Sequence, residues 1–164
     1  MLDIMKLGEE VLREKCVEVT EFDDVLDMLL QAMYDTLEEA DGVGLAAPQI
    51  GVNKRFFIVS LPDGTKKEFI NPKIVGTSVE TNPYEEGCLS IPGVYCYVER
   101  PSKVIVEAQD ATGKPFTLKA SGLMARVIQH ENDHLDGVLF IDHLNPDDKK
   151  KAIRAYEKKN KKRK

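Results

Sequence analysis

His130 and His134 stand four residues apart in the segment Gln129-His130-Glu131-Asn132-Asp133-His134, and that spacing constrains the fold more than any other feature of the chain. On a helix, positions four apart share one face about one turn apart. Two imidazoles so placed can grip one metal ion, and Glu131 can reach a water bound to it, the His-Glu-x-x-His arrangement of metal hydrolases. A helix of mixed charge can also carry this pattern as plain surface. The metal reading therefore requires a helix here and a third ligand brought to it from elsewhere.

The candidates for that ligand separate the readings. The run after the motif is His134-Leu135-Asp136-Gly137-Val138-Leu139-Phe140, so phenylalanine stands where a metzincin-type protease would place a third histidine. A downstream glutamate is the other protease solution. The only one is Glu157, in a lysine-rich tail, where it reads as a solvated partner of its basic neighbours. Cys88, in Glu86-Gly87-Cys88-Leu89-Ser90, is the better ligand. A thiolate binds zinc or ferrous iron strongly, and the glycine before it lets the backbone approach a metal closely.

Three segments together resemble the peptide deformylase family: Gly42-Val43-Gly44-Leu45-Ala46-Ala47-Pro48-Gln49, then Glu86-Gly87-Cys88-Leu89-Ser90, then Gln129-His130-Glu131-Asn132-Asp133-His134. They follow the family's order and separations, with Pro48 at a position that varies in it. The resemblance implies a metal-dependent hydrolase that removes the formyl group from the N-terminal formyl-methionine of newly synthesised proteins, releasing formate. It implies Cys88, His130 and His134 as metal ligands, with one coordination position left open for water. Ferrous iron is the expected ion, with zinc or nickel able to substitute. Glu131 would accept the water's proton and pass it to the leaving amine. Gln49, through its side-chain amide, and Leu89, through its backbone N–H, would form the oxyanion hole.

The same resemblance assigns the substrate cleft. Gly44 would hydrogen-bond the peptide backbone, as in recognition by strand addition. Val43, Tyr84, Leu123, Val127 and the ring of His130 would wall the methionine pocket. Glu86 and Gly87 are also assigned to substrate binding. Arg126 falls near the pocket mouth, where only its aliphatic stem suits an apolar ligand. Outside the family reading, Gln49 could be a surface glutamine, Glu86 a solvated loop acid, Gly42 and Gly44 plain turn residues and His143 a loop-terminal histidine. Asp133 either supports a ligand by a hydrogen bond or faces solvent.

Length and charge bound the remaining classes. The 164 residues suit one domain, read as a single catalytic unit over 1–164. No apolar run is long enough to span a bilayer, and the acidic start lacks the features of a signal or transit peptide. Three cysteines without framework spacing fit a reducing compartment, so a cytoplasmic monomer is expected, with Cys16 and Cys96 packed as small hydrophobes. The net charge of −5 conceals an asymmetry: residues 149–164 hold ten basic side chains and one acidic one, leaving thirteen basic and twenty-seven acidic residues before them. A basic C-terminal helix or tail on an acidic body is either a solvated helix or a contact for a polyanion. The family resemblance implies the ribosome as that contact, through salt-sensitive phosphate interactions.

The apolar pattern predicts a helix over 22–40 capped near Thr20, strands at 56–60, 68–75, 103–109 and 115–120, a helix from Ser121 to about Asp136, and a last helix opened by Asn145 or Asp147. That order is α+β, with mainly antiparallel sheets packed around a central metal-binding helix and a C-terminal helix. Two rival functions remain: a zinc endopeptidase, which lacks its downstream ligand, and a non-catalytic RNA-binding protein with a structural metal. The latter would need four protein ligands and leaves Glu131 without a role.

Overall fold

The computed structural model describes residues 2–161. The run Phe56–Ser60 explains the architecture best. Phe56, Phe57, Ile58 and Val59 are all buried, because this strand (β2) is covered on both faces. Phe56 and Ile58 pack in one apolar core with Leu26, Leu30, Met33 and Leu37 of α1 (Asp24–Glu39). Phe57 and Val59 pack in another with Ala125, Val127 and Ile128 of α2 (Gly122–His134). Alternate side chains of one strand thus serve two helices.

β2 lies in a five-stranded antiparallel sheet with β1 (Gly44–Ala46), β3 (Lys66–Thr77), β6 (Lys103–Gln109) and β7 (Pro115–Ser121), in the order β1-β2-β3-β6-β7. A separate hairpin, β4 (Thr81–Cys88) and β5 (Ile91–Pro101), forms a two-stranded sheet. Its apolar side chains Ile91, Val94 and Val98 belong to a third core. There they meet Leu139, Phe140 and Ile141 of the 3₁₀ turn Phe140–His143 with its preceding leucine, and Ala152 and Tyr156 of α3 (Pro146–Lys161). The architecture is the α+β arrangement expected, with α2 between the large sheet and the hairpin. Of the basic C-terminal segment, residues 162–164 lie outside the described residues.

Local signals account for the helix ends. Asp23, not Thr20, caps α1: its carboxylate accepts from Leu26 N at 3.0 Å. Asn145 caps α3 by accepting from Asp148 N at 2.9 Å, and Pro146 takes the first helical position, where a missing N–H costs nothing. α2 ends at His134, and the chain turns at Gly137, whose φ is +74°. A Cβ there would stand 2.6 Å from the Arg13 carbonyl oxygen, so both conformation and contact require glycine.

Asp142 ties the N-terminal segment to the C-terminal half. It meets Arg13 at 2.6 Å and Lys149 at 2.8 Å, and accepts from Leu139 N at 2.9 Å. Burial pushes its carboxyl up, but these partners outweigh that and hold it at about 2. The folded state thus binds this proton less readily than the unfolded chain. The associated stability is present above about pH 4 and disappears as pH falls through 2. Asp142→Asn is expected to melt below the wild type at pH 7, with the gap closing between pH 4 and 2. A gap of constant size across pH 7 to 2 would refute this account.

Candidate metal centre

α2 presents His130, Glu131 and His134 to the interior; they are 8%, 4% and 1% exposed. The hairpin supplies Cys88 at the end of β4, where the pairing slips between Gly87 and Cys88. That irregularity turns the thiol toward the helix. Gly87 itself is overlaid by the ring of Tyr95, and a Cβ there would stand 2.6 Å from Tyr95 Cε1. One donor atom each from Cys88, His130 and His134 lie within 4.8 Å of one another, with Cys88 Sγ 3.4 Å from His134 Nε2. This is the only such group of donors among the described residues.

The surroundings fit a cation. Glu86 Oε1 lies 2.9 Å from His130 Nδ1, which fixes the ring and leaves Nε2 free to face the site. Phe140, at the position that would hold a ligand in a metzincin, instead stacks on His130 with centroids 5.9 Å apart. Burial lowers the affinity of His130 for a proton, but Glu131, Cys88 and Glu86 overcome it and raise its pKa well above the ordinary value. Burial, then His130, push His134 the other way. The field that holds a proton on His130 is the field a metal ion would meet, and a cation would displace that proton. Soft sulfur with two imidazoles is a donor set for zinc or ferrous iron.

Glu131 stands beside the donor cluster. Its Oε2 lies 3.9 Å from His130 Nε2, so it stands beside the cluster without bridging it. Its Oε1 is buried without a hydrogen-bond partner among the described residues, an orphan that a water in the site would satisfy. Burial, partly opposed by His130, raises its carboxyl to about 7, near the pH at which a proton shuttle must work.

Gln49 is no surface glutamine. It is 1% exposed and held at both ends of its amide. Oε1 accepts from Ala46 N at 2.9 Å, and Nε2 donates to Ser90 Oγ at 3.1 Å while lying 3.5 Å from Cys88 Sγ. Leu89 follows the cysteine directly, and no hydrogen bond from its N–H is found among the described residues. Both donors border a cavity of about 480 Å³ that also contains Cys88, His130 and Glu131. Val43, Gly44, Tyr84 and Gly87 line the same cavity, as do Leu123 and Val127. Gly44 packs so closely on α2 that a Cβ would stand 2.7 Å from both Glu131 Oε2 and Val127 Cγ1.

Glu86 borders the cavity too, but it is 4% exposed and its carboxylate is spent internally. Arg100 grips it through Nε at 2.7 Å and Nη2 at 3.0 Å, and Arg126 Nη1 through 2.7 Å. Burial would raise its pKa, yet His130 and Arg100 overcome this and leave it well below the usual carboxylate range. The solvated-acid reading therefore fails. Asp133 supports no metal ligand directly; it accepts from Arg100 at 2.8 Å and pairs with His143 Nε2 at 2.8 Å. Glu157 lies in a separate groove beside Gly8–Arg13, so it is no ligand here. Cys16 packs in the core, and burial pushes its thiol up to about 11.

The pairing of the two buried arginines with Glu86 and of Ser90 with Gln49 was not legible in the sequence. The available signal was Arg126 on the inward face of α2 four residues before His130, a position where an unpaired cation could not be tolerated.

A family profile described as "Polypeptide deformylase" matches residues 1–150. A peptide deformylase of Fusobacterium nucleatum is 48% identical over 145 residues, 87% of this chain and 83% of the relative. One from Hydrogenovibrio crunogenus is 45% identical over 160 residues, covering 96% and 94%. Among solved structures, a Legionella pneumophila peptide deformylase superposes with a TM-score of 0.94 at 41% identity, covering 99% of this chain and 97% of that one. A Synechococcus elongatus peptide deformylase in complex with actinonin gives 0.89 at 45% identity, covering 94% and 86%.

Proposed function

The chain belongs to the polypeptide deformylase family, and on that premise we propose how its residues carry out the reaction, the hydrolytic removal of the N-formyl group from formyl-methionine at the start of newly made proteins. The observation that carries the assignment is the convergence of Cys88, His130 and His134, with Cys88, His130 and Glu131 lining one cavity. Cys88, His130 and His134 would hold ferrous iron, with zinc or nickel able to replace it. The ion, when bound, is a Lewis acid that lowers the pKa of a coordinated water toward about 7.

The protein groups supply the rest. Glu131 takes the proton of the attacking water and delivers it to the α-amine as the C–N bond breaks, so formate and a free N-terminus leave. Charge gathers on the formyl oxygen, where the Gln49 amide and the Leu89 N–H donate. Gln49 is pre-aimed by Ala46 and Ser90, so little reorganisation accompanies the step. The methionine side chain occupies the apolar part of the cavity formed by Val43, Leu123, Val127 and Tyr84, and the peptide backbone pairs with the free edge of β1 at Gly44. Bulk solvent, as opposed to the attacking water, is largely kept from Glu131 by its burial, which strengthens each of these interactions.

The substrate experiment is formate release from formyl-Met-Ala-Ser by protein prepared anaerobically with ferrous iron. Rapid release is expected, with no cleavage of the unformylated peptide. Cleavage of internal bonds without formate would establish the endopeptidase reading instead. The basic residues of 149–164 support docking on ribosomal RNA by a single-domain cytoplasmic monomer; no described helix is long and apolar enough to cross a membrane. Cosedimentation with ribosomes should weaken steeply with added salt, and binding indifferent to salt would rule out the phosphate contact.

A further inference from the structure

The metal donors straddle a boundary between two apolar cores. The inward face of α2, which carries His130 and His134, packs with the large sheet through Ala125, Val127 and Ile128. The hairpin that carries Cys88 packs with the 3₁₀ turn and α3 through Ile91, Val94 and Val98. Apolar packing is non-directional, and neither core spans the helix and the hairpin. Beside the stacking of Phe140 on His130, polar ties join them. Gln129 Nε2 donates to Pro101 O at 2.9 Å, Arg100 reaches Asp133, Glu86 meets His130, and Arg126 makes the largest set of ties.

Arg126 is 6% exposed. Its Nη1 donates to Glu86 Oε2 at 2.7 Å and to Val98 O at 2.8 Å. Its Nη2 donates to Asn82 O at 2.7 Å and Asn82 Oδ1 at 3.3 Å. Every acceptor is on β4 or β5. The guanidinium also lies over the Tyr84 ring, 5.5 Å from its centroid. A planar fork with fixed donor directions sets distance and angle at once. Through Val98 and Asn82 it sets where the hairpin sits against α2; through Glu86 it sets the His130 ring.

We infer that Arg126 is a positioning residue of the metal centre, fixing the thiolate of Cys88 relative to the imidazoles of His130 and His134 from one turn away on the same helix. This rests on the metal-centre reading above. It explains why an arginine stands where the cavity wall would otherwise be apolar. Two guanidiniums, Arg100 and Arg126, share the buried Glu86 carboxylate, and Arg100 also meets the half-buried Asp133. Glu86 keeps Arg100 and His130 when Arg126 is removed, so the folded state retains its remaining pairs.

The test measures zinc affinity by competition with a chromophoric chelator and the absorption spectrum of the cobalt(II) protein. It compares the wild type, Arg126→Met, Arg126→Lys, Cys88→Ala and a control, Leu30→Ala, which opens a cavity in the α1 core remote from the boundary. Arg126→Met should bind zinc ~10–100-fold more weakly, the usual penalty for losing a group that orients a ligand, with altered cobalt d–d and thiolate charge-transfer bands. Arg126→Lys keeps the charge but cannot span the acceptors on two strands, so it should show the same spectral change; it also decides the matter if Arg126→Met does not fold. Wild-type affinity and spectrum in either folded variant would overturn the inference. So would an equal loss in Leu30→Ala, which would make the effect general destabilisation. A wild type that binds neither ion, or binds both unchanged after Cys88→Ala, would overturn the metal-centre reading and this inference with it.

Discussion

Glu131→Gln is expected to keep its metal and fold while losing deformylation by roughly 10²–10⁴-fold in kcat, the range over which a positioned acid-base group acts. The substitution is nearly isosteric at a side chain that is 4% exposed, so packing is preserved. What is lost is proton transfer, because an amide cannot accept the water's proton at neutral pH. The pH profile should report the same group. In the metal-free site burial raises the Glu131 carboxyl to about 7, and a nearby cation favours the carboxylate and draws it lower. Activity needs the deprotonated form, so kcat/KM of the loaded wild type should rise with pH along a limb below 7, and that limb should vanish in the variant. A Glu131→Gln enzyme with full metal and more than about a tenth of wild-type kcat would remove Glu131 from the mechanism.

Glu86→Ala should produce the largest loss of stability. It strips a shared counter-charge from Arg100 and Arg126, which are 4% and 6% exposed, and an acceptor from His130. Removing one partner from a buried ion pair costs about 3–5 kcal/mol, because the remaining charge is left uncompensated. For a chain of this size that lowers Tm by roughly 6–20 °C. Zinc affinity should fall by ~10–100-fold as the His130 ring is released. Were Glu86 a substrate contact alone, the variant would melt with the wild type and bind metal normally while KM rose. Calorimetry and the chelator competition separate these outcomes.

The helices and the strands at 56–60, 103–109 and 115–120 were legible because each carries a local apolar period or a bounding turn. The hairpin of β4 and β5 was not. Pro83, Pro92 and Pro101, together with Gly87 and Gly93, argue against a strand when read locally. They are tolerated because each strand of a two-stranded sheet has a free edge, where a missing N–H breaks no ladder bond. β1 escaped notice for a related reason: three small or apolar residues, Gly44–Ala46, become a strand only through pairing with β2.

The residue types of the candidate centre were present in the sequence. Helical periodicity puts His130, Glu131 and His134 on one face whatever surrounds them, and the Glu86-Gly87-Cys88-Leu89-Ser90 motif singles out Cys88 from the three cysteines. The role of Glu86 was decided elsewhere. Its partners lie 14, 40 and 44 residues away in the chain, and nothing in the Glu86-Gly87-Cys88 segment distinguishes a carboxylate that meets substrate from one that meets two guanidiniums. Ion-pair and hydrogen-bond energies depend on separations of a few ångströms, and those separations are set by how two independent apolar cores come to rest against each other. The residue types and their helical face belong to the sequence; the distance between the thiolate and the imidazoles, and the buried charges that hold it, belong to the tertiary structure.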